Sequence, residues 1–206
     1  MPDAPGLELI RGEIERDRPG AVLATSFDRE QAALIVDPAQ VLDVLRWLRD
    51  EPGQGYTFLS SLHVADYLPA EPRFGIHYEL LNRDRVERIR VKAMLADPVG
   101  ADEPAPEQGA SGQSPRTDAL ARPQDSAPAL PPGDGELPVI ASCVELFPTA
   151  EFQEREAYDF FGILFQGHPN LTRILMPDDY VGWPQRRDFP VGGEPVTFTY
   201  NERRYG

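Results

Sequence analysis

Apolar and polar residues alternate with period two in two neighbouring runs of the chain. Phe74, Ile76, Tyr78 and Leu80 are interleaved with Gly75, His77 and Glu79, and Ile89, Val91, Ala93 and Leu95 with Arg88, Arg90, Lys92 and Met94. A short polar turn at Asn82-Arg83-Asp84 separates the runs. This pattern predicts an antiparallel hairpin with one buried face. Upstream, "YTFLSSLHVADYL" reads as a strand followed by a loop that holds His63. "AVLATSF" and "QAALIV" read as short buried segments whose type the pattern leaves open.

Helical spacing takes over elsewhere. Leu7, Ile10 and Ile14 support a short N-terminal helix. Val41, Leu42, Leu45 and Leu48 make one stripe, which Asp37 can cap, Pro38 can begin and Glu51-Pro52-Gly53 ends. Val139 to Ala141 read as a last strand. Ser142 and Glu145 have capping-box spacing, which predicts a short helix closed at Pro148, and Thr149 can cap the next. That next helix runs from Ala150 to Phe161 and stops at Gly162.

Wound at 3.6 residues per turn, the last helix places Glu151, Glu154, Arg155 and Asp159 together on a solvated or partner-facing side. Glu156 falls instead beside Phe152, Ala157, Phe160 and Ile163. A carboxylate on such a face needs a partner, so Glu156 is expected to be a structural anchor satisfied by an arginine or backbone amides, the alternative being a general acid with a raised pKa.

Two segments differ in character. Residues 97–136 lack aromatics and isoleucine and are rich in proline, glycine and acid, which predicts a disordered insertion. Residues 163–206 carry prolines at 169, 177, 184, 190 and 195 among many aromatic and aliphatic side chains. Such a stretch is too apolar to float free and too interrupted to build its own core. It is expected to be an extended arm that lies partly on its own domain and partly on another protein, with Arg173, Trp183, Arg186 and Arg187 as contact residues. The expected fold class is α+β: a small sheet with an antiparallel hairpin, packed by helices, spans 1–96 and 137–162, followed by the irregular arm.

Composition narrows the function. A net charge of −14 disfavours nucleic acid and anionic membrane surfaces as partners. No stretch is apolar enough for a membrane span, and the N-terminus does not read as a signal peptide. Cys143 is the single cysteine, expected to be a small buried side chain, so no iron–sulfur cluster or cysteine zinc site fits within the chain. No glycine-rich nucleotide loop is present. His63 and His77 are read as solvated or locally bonded histidines rather than metal ligands. No catalytic, cofactor-binding or metal-ligating residue is expected.

Glu154-Arg155-Glu156, Asp159, Phe161-Gly162-Ile163, Gly167-His168-Pro169, Arg173-Ile174-Leu175 and Arg186-Arg187-Asp188-Phe189-Pro190 follow one another in this order. The series, with Trp183 inside it, resembles the signature of the C-subunit family of NADH-quinone oxidoreductase, the smaller scaffold protein in the peripheral arm of respiratory complex I. Thr172, Trp183 and Gln185 depart from the usual family pattern. The resemblance implies a protein without its own flavin, cluster or quinone, packed beside the quinone-binding and iron–sulfur subunits. FMN, iron–sulfur clusters and quinone then belong to those partners. The implied location is peripheral, on the cytoplasmic side of the cell inner membrane. Equivalent subunits of membrane-bound hydrogenases and of ferredoxin- or plastoquinone-linked complexes share the resemblance. A distant alternative is a free-standing acid/base enzyme using Glu156 and His168, with Asp178 and Asp179 holding a metal.

Overall fold

The period-two runs do form paired strands. The computed structural model describes residues 2–98 and 136–189. In chain order the elements are α1 (Ala4–Asp17), β1 (Val22–Asp28), β2 (Gln31–Val36), α2 (Val41–Asp50) and β3 (Phe58–Asp66), then β4 (Phe74–Asn82), β5 (Glu87–Leu95), β6 (Val139–Ala141), α3 (Ala150–Phe161) and β7 (Leu164–Gln166). Five strands make a mixed sheet ordered β1-β2-β5-β4-β3, in which only β2 and β5 run parallel. The result is an α+β fold.

On the hairpin's inner face Tyr78 sits opposite Val91, Ile76 opposite Ala93 and Leu80 opposite Ile89. All six are buried, in one cluster with Leu7, Ile10 and Ile14 of α1 and Val44, Leu45 and Leu48 of α2. Asp3 caps α1 by accepting from the Gly6 amide at 2.8 Å. Asp37 accepts from the Ala39 amide at 3.0 Å and opens a single 3-10 turn, Pro38–Gln40, that leads into α2. The two segments of undetermined type are β1 and β2, joined as a hairpin.

Three local expectations are corrected. Ser142 and Glu145 open no helix, because the Ser142 hydroxyl donates to Glu154 at 2.6 Å and residues 144–146 form a turn. Thr149 does not cap α3 with its side chain, since its hydroxyl donates to the Leu59 carbonyl at 3.0 Å. His63 lies inside β3 rather than in a loop, directly opposite His77.

These contacts explain where α3 sits. β3 is an edge strand, and an unpaired edge leaves backbone groups open. Helix α3 packs along it: Thr149 satisfies the Leu59 carbonyl and the Gln153 side chain accepts from the Leu62 amide. Behind α3 the chain forms β7, which pairs in parallel with β6. Residues 164–166 are therefore a strand, where the sequence suggested irregular chain.

Candidate partner interface

Helix α3 is buried on two sides, and each side has its own carboxylate. Ala150, Glu154, Ala157, Tyr158 and Phe161 recur at helical spacing and face the domain. Glu154 is fully buried there, accepting from the Ser142 hydroxyl at 2.6 Å and the Cys143 amide at 2.8 Å. Burial pushes its carboxyl above the ordinary range, and the hydrogen bonds offset only part of that. Cys143 is buried beside it, its thiol pushed up by the same burial and by the Glu154 charge.

Asp159 lies on the far side of the helix and is equally buried, because residues 172–176 fold over it. One carboxylate oxygen accepts the amides of Ile174, Leu175 and Met176 at 3.0, 2.7 and 2.9 Å. The other receives the Arg173 guanidinium at 2.8 Å. Burial alone would raise this carboxyl, but the three amides and Arg173 hold it below the ordinary range. One turn earlier, Arg155 donates to the Thr172 carbonyl and hydroxyl and to the Arg173 carbonyl. Arg155 thus grips this segment.

The segment continues over the helix end. Gly162 terminates α3 with φ +70°, and a Cβ there would lie 2.4 Å from Trp183 Cε2. Only glycine admits the indole, which also meets Tyr158 edge-on at 5.4 Å. Arg186 donates to the Phe161 carbonyl at 2.8 Å, and Phe189 stacks on Tyr180.

A second node lies one step further on. Arg73, just before β4, is buried among three aspartates: Asp66 at the end of β3, Asp97 just beyond β5, and Asp188. Its Nε donates to Asp66, Nη1 to Asp97 and Asp188, and Nη2 to Asp66 and Asp188, at 2.6 to 3.1 Å. A guanidinium has five N–H donors, so its hydrogen-bonding capacity is filled. Arg186 approaches Asp97 at 3.4 Å, and the Arg187 amide donates to Asp66 at 2.8 Å. Asp97 therefore belongs to this node and not to a solvated insertion. Nothing in the hydrophobic pattern marks Arg73, Asp66 or Asp97; they are recognisable only by what surrounds them.

Several expected site residues are repositioned by this geometry. Glu156 is exposed, not an anchor: Phe152 beside it is 59% exposed and Phe160 is only partly buried at the edge of the core. Glu154 and Asp159 are the buried acids instead. Glu156 lines a groove of about 350 Å³ between β3 and α3, with Ser61, His63, Gln153 and Phe160. His168, in the turn after β7 with Gly167 and Pro169, has Nε2 3.0 Å from the Glu151 carbonyl and accepts from the Asn170 amide on Nδ1. Both ring nitrogens are engaged, so His168 does not converge with Glu156 as an acid/base pair. Asp178 and Asp179 are exposed. Arg173, Trp183 and Arg186 contact their own chain rather than facing outward. Ile174, Leu175 and Val181 remain exposed, Leu175 at 60%. Pro190 and the rest of the arm lie outside the described residues, as do residues 99–135 of the insertion.

The paired acids give the clasp a defined acid response. Asp66, Asp159 and Asp188 are all held below the ordinary aspartate range, against the effect of burial, by their arginine and amide partners. Stability from depressed carboxyls is complete above the unfolded value of about 3.9 and is lost as pH falls through the folded values. Glu154 is raised and so acts with the opposite sign: its protonation in acid removes a charge from a buried site. Acidification below about pH 4 should therefore release Trp183 before the sheet melts. The check is Trp183 fluorescence in a Trp47→Phe background against far-UV circular dichroism. A single coincident transition would mean that the clasp has no acid step of its own.

With this geometry established, comparison with known proteins is decisive. The profile of the respiratory-chain NADH dehydrogenase 30 kDa subunit matches residues 34–106 and 129–195. The chain belongs to this family. It is 36% identical over 204 residues to the C subunit of NADH-quinone oxidoreductase from Roseiflexus sp. strain RS-1, covering 99% of this chain and 93% of that protein. The C subunit from Roseiflexus castenholzii is 39% identical over 195 residues, with 95% and 90% covered. That of Herpetosiphon aurantiacus is 38% identical over 169 residues, with 82% and 77% covered. As a member of the 30 kDa family the chain is a complex I subunit, and its partners are other subunits of that complex. Among the described residues no helix is long and apolar enough to cross a membrane.

Proposed function

We propose that this 30 kDa-family protein is a non-catalytic scaffold of the peripheral arm of NADH-quinone oxidoreductase, holding the redox subunits together by docking. Electrons pass from NADH through flavin and iron–sulfur clusters to quinone in its partners, and this chain supplies surface. Its place is peripheral, on the cytoplasmic side of the membrane, against the quinone-binding and iron–sulfur subunits.

One observation carries the reading: the charged signature residues other than Glu156 are engaged in binding the chain to itself. Glu154, Asp159, Arg173, Arg186 and His168 each hold a backbone or side-chain partner within the chain. What the clasp presents outward is Phe152, Glu156, Ile174, Leu175 and Val181. An irregular segment with exposed large apolar side chains, fixed on a folded base, is suited to docking and not to turnover.

The test is a native pull-down from solubilised membranes, with iron–sulfur EPR and NADH oxidation measured on the eluate. Leu175→Asp or Glu156→Ala should lower recovery of the flavin and cluster subunits while the isolated variant unfolds like the parent. Normal incorporation with selectively lost quinone reduction would contradict a purely scaffolding role.

A further inference from the structure

We propose that His63, His77 and Glu79 form a binding site for a divalent transition-metal ion of the zinc, nickel or copper type, on the sheet face opposite the helical core. His63 and His77 are directly opposed on β3 and β4, their rings stacked with centroids 4.9 Å apart and planes within 7°. Glu79 is two residues along β4, hence on the same face. One donor atom from each residue lies within 4.8 Å of the other two. Two imidazoles and a carboxylate are a donor set these ions accept, with a position left for water.

His77 is already held in the manner of a metal ligand. It is 7% exposed, and its Nε2 meets the Tyr67 hydroxyl at 3.1 Å. Its Nδ1 is buried and has no hydrogen-bond partner among the described residues. A buried ring nitrogen left unpaired is costly, and a metal ion would satisfy it. Tyr67 then serves as the outer partner that orients the ring. Gly75 makes that placement possible, since a Cβ there would lie 2.7 Å from Tyr67 Cε2.

The other two ligands can adjust. His63 is exposed, with the Ser61 hydroxyl 3.3 Å from its Nδ1, so its ring can leave the stack and close the donor spacing. Arg90 pairs with Glu79 through Oε1, leaving Oε2 as the ligand atom. Lys92 Nζ lies 4.2 Å from the Tyr67 ring centre. These two cations oppose a third, which makes the affinity modest and favours imidazole-seeking ions over magnesium or calcium.

The background for a test is low, because the chain has three histidines and its one cysteine is buried. Calorimetric titration of the untagged full chain with zinc near neutral pH should give one equivalent bound. His63→Gln, an exposed change that leaves the core intact, should weaken binding at least about tenfold, and Tyr67→Phe by about tenfold. His168→Gln should leave it unchanged. Cobalt(II) should give visible ligand-field absorption in the parent chain and none in His77→Gln. Absence of zinc binding by the parent overturns the proposal, as does binding that His63→Gln leaves intact or that His168→Gln abolishes.

Discussion

Replacing Arg73 with glutamine should lower the unfolding free energy by about 3–5 kcal/mol, because it leaves buried carboxylates without their counter-charge. Arg73 fills all five of its donors with Asp66, Asp97 and Asp188. Its guanidinium is held charged: burial opposes the charge, but the hydrogen bonds to Asp66 and Asp188 outweigh it. Removing that cation leaves Asp66 and Asp97 buried as like charges, with Arg186 still close to Asp97. For a chain of this size the loss corresponds to a fall of roughly 10 °C or more in Tm. Arg73→Lys should rescue little, since an ammonium has three donors and no planar fork for two bidentate carboxylates. Asp188→Asn should cost less than either, because the Asp188 side chain is 43% exposed and can turn to water. Urea unfolding at neutral pH checks all three variants. A loss under about 1 kcal/mol for Arg73→Gln would place it in the range of a surface pair and sink the claim that this node holds β3, β5 and residue 188 together.

Asp159→Ala should be nearly as damaging, by about 3 kcal/mol or more, for a different reason. The substitution strips three consecutive amides of their acceptor and leaves Arg173 buried without its charge partner. Its effect is expected to be local first. Residues 172–176 are held to α3 by Asp159 and Arg155 and have no helix or strand hydrogen bonds of their own. Trypsin should cut after Arg173 in the variant under conditions where the parent resists. Combining Asp159→Ala with Arg173→Met should cost less than the sum of the single changes, since each removes the same ion pair. Additive losses, or equal resistance to trypsin, would show that the segment is retained by other contacts.

The contrast between Glu156 and Asp159 shows where sequence reading succeeds and where it stops. The helix from Ala150 to Phe161 was legible from its spacing and from Gly162, and the structure has it with those bounds. Which of its acids is buried was not legible. Phe152 and Phe160 suggested the inner side, yet Phe152 is exposed, Phe160 only partly buried, and the domain takes the side bearing Ala150, Glu154, Ala157 and Tyr158, whose small or polar members weaken the signal. Asp159 is then covered by a segment thirteen or more residues further along the chain. His63 and His77 were hidden for a related reason. Being fourteen residues apart in sequence, they meet only because β3 and β4 pair in a register that places them face to face.

The sequence alone determined the hairpin, the helices α1, α2 and α3 and the signature order that identifies the family, because these rest on periodicity and on residues close together in the chain. The tertiary structure decided which charges face inward, which residues close the clasp and which histidines become neighbours. Burial and pairing of that kind depend on distant segments such as 66, 73, 97 and 188 arriving at one point. No local pattern encodes that arrival; the energetics of an acid or an arginine follow from the dielectric and the partners it finds once the chain has closed.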